Sequence, residues 1–181
     1  DGIDPKNTVA IVAPGNIQDM AQMTERHQEL GIYSIFDPGQ SLPIWDPADL
    51  ARAISQSKVL VSNDYELEMI SNRTGLSRQQ LADTVEHIIV TRGEHGSELM
   101  GPDGTVYVPA VPTDDVVDPT GAGDAFKGAM LHCLLRGMST RDAATFGAIA
   151  AGLKIRGRGA LTTMPSGKEV YAAFDSFPTN P

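Results

Sequence analysis

The sequence predicts an α/β fold built around a mostly parallel sheet, and three observations lead to that prediction. Apolar runs of strand length recur along the chain, and each ends in a polar, Gly or Pro turn. Stretches with apolar residues at helical spacing lie between these runs, which is typical of βαβ units. The chain of 181 residues is also long enough to bury one sizeable core.

The first strand and helix show the pattern clearly. Residues 8–15, TVAIVAPG, form an apolar run that ends in Pro-Gly, and this run predicts a buried strand. Residues 17–30 place apolar side chains at roughly helical spacing, which predicts an amphipathic helix. Gly31 is the expected stop of that helix, because glycine readily adopts the left-handed conformation found after many helix ends.

The same alternation continues toward the middle of the chain. We predict that Asp46, with Asp49 as the alternative, caps a helix that runs to about Ser57. The remaining elements predicted here are a strand in 32–39, a strand in 58–63, a short helix in 64–75, a helix near 77–86 and a strand in 87–93.

The pattern changes after residue 96. Two short strands around Pro102-Asp103-Gly104 predict a hairpin. Helices follow at about 124–136, 139–153 and 166–176. Because we find no internal repeat, low-complexity tract or interdomain linker, we predict a single α/β domain over residues 1–181.

Composition narrows the classes of function. A net charge of −9 argues against a broad nucleic-acid or membrane surface, which would favour a basic face. No apolar run approaches the length of a membrane span. A single cysteine excludes an internal disulfide and favours a reducing compartment, so we expect a cytoplasmic protein.

The segment Gly121-Ala122-Gly123-Asp124 opens the predicted 124–136 helix. The first N–H groups of a helix lack internal partners and small residues let an anion approach them, so the segment suits a phosphate group. Asp124 beside such a pocket is placed as a general base. The alternative is a tight turn in which Asp124 is only the N-cap. Neither the P-loop nor the dinucleotide-binding pattern matches these residues.

Residues 118–131, DPTGAGDAFKGAML, resemble the second signature of the ribokinase-like (PfkB) carbohydrate and nucleoside kinases. The resemblance implies a three-layer sandwich and an ATP-dependent phosphotransferase. It implies that Gly121, Ala122 and Gly123 form the anion hole for the transferred phosphoryl group. It also implies that Asp124 takes the proton from an acceptor hydroxyl.

Other segments match the same family in the same order. Asn63 and Glu66 resemble its Asn-x-x-Glu element, which implies a Mg²⁺ ion organised with the phosphates through water. From the residues alone, Asn63 as a helix N-cap is the better reading. Thr91, Gly93 and Gly96 resemble the loop that lies along the nucleotide, and without that resemblance they are only a turn.

Residues 157–165, GRGALTTMP, resemble the family segment that flanks the adenine, and the glycines of this nucleotide segment are Gly157 and Gly159. In many family members this segment also helps to hold a monovalent cation such as K⁺. The resemblance implies that Asp118 and the carbonyl of Thr120 lie on the other side of that cation. Two arginines, Arg156 and Arg158, make the segment basic, which leaves open contact with nucleotide phosphate or simple solvation.

The resemblance also bears on the acceptor. Residues 37–45, DPGQSLPIW, resemble a stretch of adenosine-kinase-like members and their bacterial sugar-kinase relatives, which favours a nucleoside or sugar with adenosine as the leading nucleoside. The match covers only the family's C-terminal portion, so we expect the N-terminal strands and the β-sheet lid to be missing here. The alternative function is a catalytically incomplete nucleotide-binding fragment that needs an N-terminal segment or a partner chain. As protein partners we consider a homodimer or a complementary N-terminal segment.

Overall fold

The structure, a computed structural model, divides into two compact units. One unit consists of residues 1–92 and 98–106, and the other of residues 93–97 and 107–181. The residues that the structure describes are 2–101, 104–113 and 115–177. The prediction of one domain over the whole chain stays a prediction.

The sheet confirms the predicted α/β class. Its first four strands pair in parallel and in chain order, for example with Val9 opposite Tyr33 and Val59 opposite His87. The central strands are almost wholly buried and rich in Val, Ile and Leu, as parallel strands covered on both faces require. The strands are β1 (Val9–Val12), β2 (Tyr33–Phe36), β3 (Val59–Asn63), β4 (His87–Thr91), β5 (Ser97–Gly101) and β6 (Gly104–Val108), and they lie side by side in that order.

Four helices in the first unit follow the predicted positions. Helix α1 has the predicted bounds, with Gly31 at φ 69° as its stop, and Asp46 caps α2 through the N–H groups of Ala48 and Asp49. These helices are α1 (Ile17–Leu30), α2 (Pro47–Ser55), α3 (Asp64–Thr74) and α4 (Arg78–Ala82).

Helix α4 is shorter than the predicted span of 77–86. The chain leaves the helix early because the N–H groups of Glu86 and His87 both donate to the carbonyl of Lys58, at 2.9 and 3.2 Å. These bonds draw the segment alongside the start of β3. Pairing with the sheet therefore overrides the helical pattern of the sequence.

The core of the first unit contains the residues that the apolar pattern singled out. Trp45 is fully buried and packs edge-on against Phe36, with ring centroids 5.6 Å apart, so its role is in packing. Most of the 37–45 stretch is buried beside it. The stretch that suggested a nucleoside or sugar acceptor therefore helps to build the core.

The structure describes both strands of the predicted hairpin. Strands β5 and β6 are neighbours in the sheet, as predicted, and Gly104 adopts φ 101°. The turn residues Pro102 and Asp103 lie outside the described residues.

The second unit contains three helices at the predicted places. The main face of the first one buries Phe126, Met130 and Cys133, and burial raises the pKa of the Cys133 thiol to about 11. Gly147 lets the next helix approach closely, since a Cβ there would stand 2.8 Å from the carbonyl of Phe126. The helices are α5 (Ala122–Leu134), α6 (Thr140–Lys154) and α7 (Gly167–Ser176).

Across the described residues, the structure contains no helix with the length and apolar character that crossing a bilayer demands.

Candidate functional site

The start of α5 is shaped by Gly121. This residue is the N-cap, with φ 82° in the left-handed region that favours glycine, and no side chain in the described part of the chain caps the helix. A Cβ at position 121 would stand 3.0 Å from the carbonyl oxygen of Ala160. Both the backbone conformation and the close approach therefore require glycine at this point.

The backbone amides here are only partly engaged. The N–H of Ala122 donates to the carbonyl of Pro119 at 3.1 Å, and that of Ala125 donates to Gly121 at 2.9 Å. The N–H groups of Gly123 and Asp124 have no partner among the described residues. The open donors thus lie at 123 and 124, one step beyond the predicted trio of 121–123. Space around Gly123 is open, so a group can approach its amide.

Asp124 is not the N-cap, and this corrects one of the two alternatives for that residue. It is the third residue of α5, its side chain is 83% exposed, and its Oδ1 lies 3.2 Å from Nζ of Lys127. A carboxylate in the first turn is favoured by the helix dipole, and the i,i+3 spacing brings the lysine to it. The exposed carboxylate is free to meet a hydroxyl group from solvent.

A cleft of about 230 Å³ opens beside Asp124 within the second unit. Its walls are mainly small or apolar, which suits a weakly polar group. The lining residues include Asp124, Gly128, His132, Phe146, Ala150 and Pro165.

Asp118 fastens the turn before α5 to the segment after α6. Its Oδ1 accepts from the N–H of Thr120 at 2.9 Å, and its Oδ2 accepts from the N–H of Gly159 at 2.7 Å. Hydrogen bonds from Thr120, then from Gly159, and finally the charge of Lys154 lower the pKa of Asp118 to about 2. The Asp118 carboxylate is therefore ionised in the folded protein near neutral pH.

The glycines of the 157–165 segment serve its tight path. A Cβ at Gly157 would collide with the side chain of Thr163, and Gly159 adopts φ 78°. Both nearby arginines are exposed, and Nε of Arg156 donates to Oγ1 of Thr113 at 3.3 Å. The exposure of Arg158 fits both contact with nucleotide phosphate and simple solvation.

Asn63 and Glu66 form a reciprocal capping box in the first unit. Oδ1 of Asn63 accepts from the N–H of Glu66 at 2.7 Å, and Oε2 of Glu66 accepts from the N–H of Asn63 at 2.8 Å. Asn63 is therefore a helix N-cap, as the residues alone favoured. Thr91 stands opposite Asn63 in the register of β3 and β4, so the strand ends bring these predicted residues together.

The two loop glycines adopt left-handed conformations, with φ 55° at Gly93 and φ 75° at Gly96. A Cβ at Gly96 would collide with the carbonyl of Val108, whereas Gly93 faces open space. Gly96 thus has a structural reason to be glycine, and Gly93 leaves room beside the backbone.

The predicted metal sites differ in how well their residues fit. In the described part of the chain, no group of three or more His, Cys, Asp or Glu side chains could hold a metal ion. Glu66 keeps one carboxylate oxygen outside the capping box, which fits contact with Mg²⁺ through water. At Asp118 both oxygens accept backbone hydrogen bonds, but a carboxylate has about four acceptor positions, so these bonds leave room for contact with a monovalent cation.

Sequence reasoning missed two lysines. Lys127 pairs with Asp124, and the i,i+3 spacing was a signal that could have found it. Lys154 is fully buried at the end of α6, and its Nζ has no hydrogen-bond partner among the described residues. Its only sequence signal is a charge at the end of the run of small and apolar residues AIAAGLK.

Comparisons with known proteins agree on one family. Residues 11–167 match the pfkB family of carbohydrate kinases. The nucleoside kinase of Methanocaldococcus jannaschii is 30% identical over 135 residues, which are 75% of this chain and 45% of that protein.

Solved structures give the same result. Burkholderia thailandensis nucleoside kinase in complex with inosine has a TM-score of 0.89 and 38% identity, over 96% of this chain and 58% of that one. Aminoimidazole riboside kinase from Salmonella enterica, complexed with aminoimidazole riboside and an ATP analog, has a TM-score of 0.72 and 26% identity, over 85% and 56%. The chain thus spans about half the length of the relatives that it matches.

Proposed function

The chain belongs to the pfkB family of carbohydrate kinases, and from that premise we propose that the protein transfers the γ-phosphoryl group of ATP to a hydroxymethyl group of a nucleoside. Adenosine is the first candidate acceptor, and sugars are the second class. The observation that carries the proposal is the start of α5, where open backbone amides and an exposed carboxylate occur within one helical turn. The names of the compared relatives support a nucleoside ahead of a sugar.

Phosphoryl transfer depends mainly on positioning and on stabilising the charge that spreads over the moving group. In the proposed mechanism, the N–H groups of Gly123 and Asp124 donate to oxygens of the transferred phosphoryl group. The positive end of the α5 dipole adds to the same attraction. Gly121 contributes by shaping the turn, and Ala122 by anchoring it to Pro119.

Asp124 would accept the proton of the attacking hydroxyl group. Its exposed side chain can turn toward an acceptor, and the ion pair with Lys127 holds it near the helix start in the meantime. A carboxylate next to bound phosphate repels it, so a site for anion binding alone would gain nothing from Asp124.

We assign nucleotide contacts to the loops that the resemblance marks. Thr91, Gly93 and Gly96 would lie along the nucleotide, and Gly157 and Gly159 would lie near the adenine. Mg²⁺, when bound, would neutralise phosphate charge, and the outward oxygen of Glu66 would orient it through water. The single cysteine suits a reducing compartment, so we extend the proposal to a cytoplasmic enzyme.

A second candidate function is nucleotide binding without turnover. The observation that favours it is the share of the relatives' length that this chain spans, 45% for the M. jannaschii protein. In that case the acceptor contacts would come from a complementary N-terminal segment or from a partner chain.

The test begins with intact and native mass spectrometry of the purified protein, which establishes the length of the chain and the number of copies. ADP release is then measured with adenosine, inosine, ribose and fructose, each against a blank without acceptor. Release that depends on a nucleoside supports the kinase and names its acceptor class. ATP binding without release for any acceptor supports the second candidate and contradicts the first.

A further inference from the structure

The loop of residues 93–97 follows β4 and belongs to the second unit, although β4 itself belongs to the first. The start of α5 lies in the same second unit. Gly93 and Gly96 of this loop are among the residues to which we assign nucleotide contacts. The interactions that hold the loop within the second unit therefore bear on where ATP would lie.

Tyr107, in β6, makes one of these interactions. Its hydroxyl donates to the carbonyl of His95 at 2.6 Å, a short hydrogen bond of normal geometry, while its side chain is 56% exposed. The bond fixes the peptide group between His95 and Gly96. The N–H of Gly96 in turn donates to the carbonyl of Gly93 at 3.1 Å, so the loop is closed on itself as well as tied to Tyr107.

The backbone after Tyr107 supports the same loop. A Cβ at Gly96 would collide with the carbonyl of Val108 and would stand 2.8 Å from the backbone nitrogen of Ala110. The loop therefore contacts this part of the chain directly at Gly96. Since Gly96 lacks a side chain that could lock it in place, the hydroxyl of Tyr107 supplies the directional contact.

The chain after β6 is itself attached to α6. A Cβ at Gly152 would stand 2.8 Å from the Cβ of Val111, which shows how closely the two segments approach. The end of α6 also holds the turn before α5, because the N–H groups of Val117 and Asp118 donate to the carbonyl of Ile155 at 2.8 and 3.0 Å. The loop and the turn before α5 are thus attached to one scaffold within the second unit.

We propose that Tyr107 is a positioning residue for the nucleotide, whose hydroxyl holds the loop of residues 93–97 in the place from which it contacts ATP. Tyr107 acts through the carbonyl of His95 and does not itself touch ATP. The proposal rests on the proposed function, because the nucleotide contacts of the loop are part of that function. The acceptor meets Asp124, so its binding should not depend on Tyr107.

The test uses Tyr107→Phe, which removes only the hydroxyl. The Kd of ATP, measured by isothermal titration calorimetry, and the KM for ATP should both rise about threefold to tenfold, as expected for one lost hydrogen bond. The kcat and the KM for the acceptor should not change, because the lost contact acts on the binding of ATP and not on the chemical step. A merely structural residue would lower the melting temperature and leave the ATP affinity of the folded protein as it was. An unchanged Kd of ATP would therefore overturn the proposal.

Tyr171→Phe is the matched control. The hydroxyl of Tyr171 lies 2.9 Å from Nε2 of His132, so this variant also loses a phenol hydrogen bond within the second unit. We expect it to bind ATP with the Kd of the unaltered protein. An equal weakening of ATP binding in both variants would overturn the role of Tyr107.

The two readouts separate this proposal from the kinase proposal. If the unaltered protein binds ATP but releases no ADP with any acceptor, the kinase proposal fails, and the Kd values still decide the role of Tyr107. If the unaltered protein does not bind ATP, the nucleotide contacts of the loop fail and the role of Tyr107 fails with them.

Discussion

Helices α3 and α5 begin in opposite ways, although both beginnings match motifs of one family. At α3 the side chains of Asn63 and Glu66 each satisfy a backbone N–H of the other residue. At α5 the cap is Gly121, and among the residues that the structure describes no side chain caps the helix and the amides of Gly123 and Asp124 have no partner. At the start of α3, neighbouring side chains bond the backbone donors. At the start of α5, backbone donors remain available to a ligand.

The difference teaches how the same element acquires different roles. A capping box uses up the donors that an anion would need, so the start of α3 is mainly a structural feature with one carboxylate oxygen to spare. An uncapped start keeps its unpaired donors and its positive dipole end for a ligand. The residue types decide this: Asn and Glu close a helix start, and Gly-Ala-Gly leaves it open.

The largest effect, on turnover, should follow from removing the carboxylate of Asp124 at the start of α5. Asp124→Asn should lower turnover about 10²- to 10⁴-fold, because the acceptor hydroxyl loses its general base. ATP binding, measured by the rise in melting temperature on adding ATP, should persist. Asp19→Asn is the matched control, since Asp19 occupies the same first-turn position of α1. Full activity of Asp124→Asn would remove the base assignment.

The next largest effect concerns the turn at Gly121, which precedes the start of α5. Gly121→Ala should weaken ATP binding and lower the free energy of unfolding by about 1–3 kcal/mol, because a Cβ is strained at this φ and crowds Ala160. Urea unfolding and ATP titration measure the two losses.

Gly137→Ala separates strain from function. Gly137 has a similar φ of 74° but open space around it, so the change should cost stability and leave ATP binding intact. Equal losses of ATP binding in both variants would show that Gly121 has no particular part in the site.

A smaller effect is expected at the start of α3, where the capping box lies. Asn63→Ala should lower the free energy of unfolding by about 1 kcal/mol through loss of the cap. It should also raise the Mg²⁺ concentration needed for ADP release, because Glu66 loses its fixed orientation. Ser77→Ala, in the capping box of α4, should cost similar stability without changing the Mg²⁺ requirement. The same Mg²⁺ response in both variants would reduce Asn63 to a structural role.

The smallest effect is expected from acid. The folded pKa of Asp118 is about 2, below its ordinary value of 3.8, so the unfolded chain takes up the proton first. The stability that this carboxylate contributes is present above the unfolded pKa and is lost as the pH falls from about 4 toward 2. Melting temperatures across this range should fall less steeply for Asp118→Asn. Parallel curves for the two proteins would contradict the hydrogen-bonding account.

The elements that sequence reasoning located well are those governed by local chemistry. The end of α1 follows from Gly31 and the start of α2 from Asp46, each a neighbour of the helix that it limits. The start of α5 was placed at Asp124, two residues too late, because the helix begins where Gly121 turns against Ala160. That contact spans distant parts of the sequence, and no local pattern reveals it.

The candidate site divides in the same way. Asn63 as a cap could be predicted, because its partner is three residues away. The burial of Lys154 could not, since a lysine at the end of a helix is usually solvated, and only the packed structure removes it from water. The burial of a charged residue that packs against distant parts of the chain cannot be predicted from the sequence alone.

The order of the strands has a consequence for biosynthesis. Within the described residues, each strand lies beside the strand made just before it, from β1 to β6. A chain that leaves the ribosome from its N-terminus can therefore add one strand and helix at a time to a surface that already exists. Among the described strands, β1 waits only for β2, and each later strand finds a neighbour that is already made. The sheet can thus grow at the pace of translation.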